Sequence, residues 1–375
     1  MEIVRRIALD RIKPWLFRGK ALVITGARQV GKTTMIKSLV ANYESVLWLN
    51  ADDISVRERL KNPSIATLKD VVGEYKIVVI DEIQRIENCG LLLKMLVDNF
   101  ANVQFLATGS SALEMSETIF EPLTGRHLLF KMYGFGMLEL YPQHSPFQLE
   151  QALEFHMVYG CYPDICKNRD VAETLLKNLC DQYLYKDVLV WKDLRKPELL
   201  DKLLKLLAFQ VCGEVSFHEL SNTLRVKSET VEAYINLLEK SFVIYRLSAF
   251  SQNPRKEVSK MSKVYFWDNG IRNALIDDFD SLDMRNDRGQ LWENFIIGER
   301  LKMNAWQNTN RKAYFWRNYN QSEVDYVETE KRHLRAFEMK WNLRKRASVS
   351  KAFTNSYPHA ETGVISPSEA MAFLK

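Results

Sequence analysis

Two groups of residues have types and spacings that do chemistry. The first begins at Gly26-Ala27-Arg28-Gln29-Val30-Gly31-Lys32-Thr33-Thr34, which fits the pattern G-x-x-x-x-G-K-[ST]. In that pattern backbone N–H groups wrap a phosphate, Lys32 reaches the β- and γ-phosphates, and the Thr33 hydroxyl holds Mg²⁺. The positive end of a following helix adds to the attraction for the anion. Downstream, Ile77-Val78-Val79-Ile80-Asp81-Glu82 ends an apolar run in two acids. Asp81 is suited to the Mg²⁺ water shell and Glu82 to polarising a hydrolytic water. Further on, Thr108 or Ser110 offers a hydroxyl to sense the γ-phosphate, although Ser110 or Ser111 is equally suited to capping a helix. Arg126, after Gly125, is a guanidinium for a γ-phosphate of its own or a neighbouring subunit, or a surface arginine.

The second group lies near the carboxy terminus: Glu293, Asp325, Glu338 and Lys340. On an alternating strand, Glu338 and Lys340 share one face and Phe337, Met339 and Trp341 the other. Pairing that strand with the one carrying Asp325 brings Asp325 and Glu338 together as Mg²⁺ ligands. Glu293 from a packed helix completes the site, and Lys340 acts on the attacking water. The alternatives are a solvated hairpin face, or a salt-bridged site without activity. Arg344, Lys345 and Arg346, with Lys331, Arg332 and Arg335 nearby, make a basic cluster suited to a phosphate backbone.

These residues require particular elements to hold them. Ala21 to Thr25, Ser45 to Asn50, Lys76 to Ile80, Val103 to Ala107 and Arg126 to Met132 read as strands of a parallel sheet, with Met35 to Val40 as the helix after the glycine loop. Tyr141-Pro142-Gln143-His144-Ser145-Pro146 is a stiff corner and marks a boundary. Helical patterns follow over Leu149 to Tyr159 and Val171 to Trp191, where Tyr183, Tyr185 and Trp191 read as core. Leu199 to Cys212, a short helix capped by Ser216, and Ser228 to Lys240 precede a strand over Phe242 to Leu247. Three helices and a hairpin wing describe a winged helix-turn-helix. Glu229, Glu232 and Glu239 on the third helix oppose phosphate, which favours nonspecific DNA contact or protein docking over sequence reading. The expected divisions are 1–140, 141–196, 197–255 and 256–375.

Gly-Ala-Arg-Gln-Val-Gly-Lys-Thr-Thr, Val-Val-Ile-Asp-Glu-Ile-Gln, Thr-Gly-Ser-Ser, Leu-Thr-Gly-Arg and Gly160-Cys161-Tyr162-Pro163-Asp164, in that order, resemble the prokaryotic AAA+-like ATPases with a carboxy-terminal domain of unknown function. The resemblance implies an α/β fold: a five-stranded P-loop NTPase sheet, a helical linker, a winged-helix unit and a PD-(D/E)xK nuclease-like region. It leads to the expectation of an ATP- and Mg²⁺-dependent ATPase controlling a DNA-associated, nucleolytic module. The alternative is an ATP-driven switch or interaction protein on an inactive nuclease-like scaffold, acting as a homo-oligomer or with a protein partner.

The 375 residues suit two or three domains, and 46% hydrophobic content suits folded cores. A formal net charge of +5 permits nucleic acid without requiring it. The chain carries no signal-peptide pattern and no membrane-length apolar run, so a cytoplasmic protein is expected. Five cysteines without C-x-x-C pairing argue against a disulfide framework or zinc site.

Overall fold

Runs rich in Val, Ile and Leu fill strands that are covered on both faces, and this explains the sheet in the first third of the chain. In a computed structural model, β1 (Ala21–Gly26), β2 (Val46–Asn50), β3 (Ile77–Asp81), β4 (Gln104–Gly109) and β5 (His127–Met132) form one sheet in the order β2-β3-β4-β1-β5. Every neighbouring pair is parallel. Strands β1, β3 and β4 are buried throughout. β4 lies between the glycine-loop strand and the acidic strand. Helix α1 (Lys32–Val40) follows the glycine loop, and α2 (Cys89–Asn99) packs Leu92, Leu93 and Leu96 into the core beside Val78, Ile80 and Phe105. With all five strands parallel, Gly26, Asp81 and Gly109 reach the same carboxyl edge, where ligands of such sheets bind.

The structure describes residues 4–109, 121–143, 145–181, 197–251, 262–342 and 348–375. The chain divides into two compact units: Glu2–Gly134 with Lys240–Phe242, and Phe135–Glu239 with Val243–Lys375. In the second unit, α3 (Pro146–Tyr159) starts from a Ser145–Gln148 capping box with proline at its first turn, earlier than the Leu149 start expected from apolar spacing. The positions of Tyr183, Tyr185 and Trp191 lie outside the described residues.

Helices α4 (Pro197–Phe209), α5 (Phe217–Leu224) and α6 (Ser228–Lys240) follow the expected pattern, with the Ser216 side chain accepting the Glu219 N–H at the start of α5. The strands after them are not a separate wing. β6 (Ile244–Ala249) and β7 (Ser262–Phe266) pair antiparallel, and β6 also pairs parallel with β8 (Lys312–Arg317). Together with β9 (Glu323–Glu330), β10 (His333–Met339) and β11 (Glu361–Ile365) they form a six-stranded sheet ordered β11-β10-β9-β8-β6-β7. The division expected at 255/256 therefore falls between two strands of one sheet. Local pattern reveals a strand but not its distant partner.

Helix α7 (Arg288–Gln307) packs on this sheet and carries Glu293. It is fixed by its buried side chains. Trp292 Nε1 donates to the Ile365 carbonyl at 3.0 Å. Asn294 Oδ1 accepts the Phe266 N–H at 2.7 Å, and its Nδ2 donates to the Phe266 carbonyl at 2.9 Å and to Asn269 Oδ1 at 2.7 Å. One amide thus closes the end of β7 and locks the helix against it. Asn294→Leu leaves these buried groups without partners and is expected to cost about 2–4 kcal/mol. Urea unfolding followed by hydrogen exchange at β7 measures it, and an unchanged midpoint would mean the amide is dispensable.

Candidate functional site

The glycine loop turns where glycine is needed. Gly31 has φ 92° as it enters α1, a left-handed conformation that an L side chain resists. At Gly26, a Cβ would lie 2.0 Å from the Met132 carbonyl oxygen, so only glycine lets the loop pass β5. Ala27 and Val30 are buried; Gln29 and Thr34 are exposed, and Arg28 is half-buried. The Lys32 ammonium is buried and donates to the carbonyls of Gly26 at 3.0 Å and Ala27 at 2.7 Å. It lies across the loop that a phosphate would enter.

Behind the loop, hydroxyls converge on one carboxylate. Thr33 Oγ1 donates to the Asp81 oxygens at 3.2 and 3.0 Å. The fully buried Thr108 hydroxyl also donates to Asp81 Oδ1 and accepts the Glu82 N–H at 3.0 Å. Glu82 follows β3 with φ 54°, and its carboxylate accepts from Gln84 Nε2 at 2.6 Å. A hydroxyl paired with a carboxylate is a hard-oxygen donor set, and Thr33 with Asp81 fits Mg²⁺ in chemistry.

Ser110, expected as a γ-phosphate sensor, lies outside the described residues. Thr108, at the carboxyl end of β4, is the hydroxyl that meets Asp81. Arg126 requires a correction. It immediately precedes β5, whose first residue His127 is in register with Ala21 at the start of β1. That is the amino edge of the sheet, about 20 Å from the glycine loop at ~3.3 Å per residue. Arg126 instead pairs with Asp98 at 2.6 Å. It does not reach a γ-phosphate in its own subunit. Gln84 was not foreseen, although its position two residues past Glu82 is the signal that locates it.

In the carboxy-terminal unit, β9 and β10 pair with Phe337 opposite Tyr326, which sets Glu338 beside Asp325. Asp325 Oδ2 accepts the Met339 N–H at 2.8 Å. The Lys340 ammonium lies 3.3 Å from Asp325 Oδ2 and 2.9 Å from Glu338 Oε2. Burial and the nearby Asp325 charge push the Glu338 carboxyl up to about 7. Burial lowers the Lys340 ammonium, but Asp325 and Glu338 outweigh it and the net shift is upward.

Glu293 has other partners. Its Oε1 accepts from the Tyr265 hydroxyl at 2.9 Å and lies 3.5 Å from the buried Lys263 ammonium, which also pairs with Glu323. Burial, reinforced by Asp325, raises the Glu293 carboxyl to about 8. Among the described residues, no three His, Cys, Asp or Glu side chains are grouped so as to hold a metal. The expected ligand set of Glu293, Asp325 and Glu338 therefore does not fit a metal as it stands, because lysine ammonium groups sit against these acids. Lys263 and Tyr265, missed in the sequence, are two residues apart and so share one face of a short strand.

The expected basic cluster is only partly described. Arg344, Lys345 and Arg346 lie outside the described residues. Lys331 and Arg332 are exposed, whereas Arg335 pairs with Glu328 and Glu361, each at 3.1 Å. All five cysteines are buried, and none of them forms a disulfide. No helix among the described residues is long and apolar enough to cross a membrane.

Comparison with known proteins bears on the fold of the first unit. Residues 18–141 match a family described as an AAA domain. Residues 150–282 and 288–372 match domains of unknown function, DUF8612 and DUF4143. An uncharacterized protein of Mycobacterium tuberculosis is 26% identical over 334 residues, covering 88% of this chain and 72% of that protein. One from Methanocaldococcus jannaschii is 24% identical over 338 residues, covering 83% and 73%. Among solved structures, a Walker-type ATPase of Pyrococcus abyssi is similar at 16% identity and TM-score 0.48, covering 73% of this chain and 96% of that one. The match, the all-parallel sheet and the glycine loop give residues 18–141 a P-loop NTPase fold similar to AAA domains, with a loop suited to nucleotide phosphates, followed by a further α/β domain.

Proposed function

We propose that the chain hydrolyses ATP with Mg²⁺ and uses its nucleotide state to control the carboxy-terminal unit. The observation that carries this reading is the hydrogen-bonded series Thr33–Asp81–Thr108–Glu82 behind the glycine loop. Thr33 and Asp81 would hold Mg²⁺, which neutralises phosphate charge. The loop amides from Gly26 to Thr34 cradle the phosphates, and Lys32 exchanges its loop carbonyls for phosphate oxygens. Glu82 takes the proton of the attacking water, with Gln84 holding its carboxylate until then. Thr108 keeps the Glu82 backbone in register with Asp81, and Ser110 remains the second hydroxyl for γ-phosphate sensing. Arg126 fits that role only across a subunit boundary, in a homo-oligomer.

For the carboxy-terminal unit, the two lysine–carboxylate groups, one buried at Lys263 and one half-buried at Lys340, favour an ion-paired, nuclease-like scaffold that responds to the ATPase, over a nucleolytic centre. Its partner is DNA held without sequence reading, or a protein. The exposed Lys331 and Arg332 suit phosphate, while the exposed Glu229 and Glu232 of α6 oppose it.

Lys32→Ala is expected to weaken ATP binding at least ~100-fold in equilibrium titration. Glu82→Gln retains ATP but loses about 10²–10⁴-fold in turnover, and phosphate release at the wild-type rate would remove Glu82 from its role. With plasmid or single-stranded DNA and Mg²⁺ or Mn²⁺, no cleavage traceable to this unit is expected. Nicking that disappears in both Asp325→Ala and Lys340→Ala would establish the nucleolytic reading instead.

The raised carboxyls also set a pH dependence. The folded unit holds protons on Glu293 that the unfolded chain releases from its ordinary value of 4.5, until the pH passes about 8. The unfolded state then binds fewer protons, so this group's contribution to stability is largest at the acid end and falls as pH rises through that window. Glu293→Gln mimics the protonated acid. Melting measured from about pH 5 to pH 8 should move in the variant's favour relative to wild type, and parallel curves would rule the effect out.

A further inference from the structure

The phosphate loop is tied to the backbone that leaves its domain, and one buried side chain makes the tie. Arg6 is 4% exposed. Its Nη1 donates to the carbonyl of Val30, inside the loop, at 3.0 Å. Its Nη2 donates to the carbonyls of Tyr133 at 2.7 Å and Gly134 at 3.3 Å. These two residues follow β5, and Gly134 is the last residue before the chain leaves the nucleotide unit. At the other end of the loop, Gly26 passes the Met132 carbonyl with no room for a Cβ. Residues 132–134 therefore hold both ends of the loop, by direct contact at Gly26 and through Arg6 at Val30.

The planarity of the peptide gives this tie a consequence. The Val30 carbonyl and the Gly31 N–H belong to one trans peptide and point in opposite directions. Arg6 draws the carbonyl toward itself and so aims the Gly31 N–H away from itself. A guanidinium stays charged at any working pH, and a buried charge cannot give up its carbonyl partners without a large desolvation penalty. A phosphate that turns the Val30–Gly31 peptide must then move Arg6, and with it the Tyr133 and Gly134 carbonyls.

We propose that Arg6 is a positioning residue that aims the Gly31 amide at the nucleotide phosphates and couples occupancy of the loop to the backbone at residues 133–134. The inference rests on ATP binding at this loop and adds the route by which that binding is felt where the domain ends.

The test uses the full chain, a non-hydrolysable ATP analogue with Mg²⁺, equilibrium titration, and hydrogen exchange over residues 131–136. Wild type should bind the analogue and slow exchange in that segment. Arg6→Gln should bind about tenfold more weakly and lose the slowing, because coupling is reciprocal. Arg6→Lys keeps the charge but cannot span all three carbonyls. It should show the same loss, and it carries the test if Arg6→Gln does not fold. Folded variants with affinity within about twofold of wild type and slowing intact would reduce Arg6 to a structural residue and overturn the inference. Binding by wild type without any slowing over 131–136 would overturn it as well. Failure of wild type to bind the analogue would instead overturn ATP binding itself, and the coupling with it.

Discussion

The nucleotide site depends on one carboxylate. Asp81 ends a fully buried strand, so its position is set by the sheet and not by a loop. The hydroxyls that approach it come from different elements: Thr33 from the first turn of α1 and Thr108 from the end of β4. Thr108 in turn takes the Glu82 amide, which sets the direction in which the chain leaves β3. Asp81 thus joins the phosphate loop, its neighbouring strand and the acid best suited to act on water. The parallel strand order makes this possible, because it brings the ends of β1, β3 and β4 to one edge with β4 between the other two.

The carboxy-terminal unit solves a different electrostatic problem. Asp325 and Glu338 are buried and Glu293 nearly so, and carboxyls in such places either keep a proton, as Glu293 does below about pH 8, or need cations. Two lysines supply them, from positions far apart in the chain. Lys340 serves Asp325 and Glu338 from just beyond β10, and Lys263 serves Glu293 and Glu323 from β7. The six-stranded sheet brings these residues within reach of one another, which explains why β6 and β7 belong to it.

What was legible in the sequence follows from how local each signal is. The glycine loop and the runs of β1, β3 and β4 are readable because burial on both faces leaves an unbroken apolar pattern. The pairing of β9 with β10 is readable because a short turn joins them. Lys263 was not readable, since a single charge in a short apolar strand shows its purpose only through non-local pairing. The choice between Thr108 and Ser110 turns on where β4 ends, which residue types do not reveal. Arg126 differs: it opens the strand read over residues 126–132, and the start of a parallel strand lies at the amino edge, so its distance from the glycine loop follows from the sheet being parallel. The winged reading of α4 to β6 likewise has the right helices and no way to see β7 and β8 on either side of β6.

The contrast between the two acidic groups explains why similar residues suit different chemistry. A divalent cation is drawn to carboxylate charge that the protein has not already neutralised. Asp81 is met by neutral hydroxyls from Thr33 and Thr108, while Lys32 is spent on loop carbonyls a short distance away. Among the described residues no cation pairs with it, which leaves its charge open to the hydrated metal proposed above. Asp325 and Glu338 share an ammonium group that is already in contact with both. For a metal to enter there, Lys340 would have to withdraw into solvent or accept a like charge beside it, and either is costly at a half-buried position. The pattern of acids in the sequence is alike in the two places, and the side chain opposite each acid is what separates them.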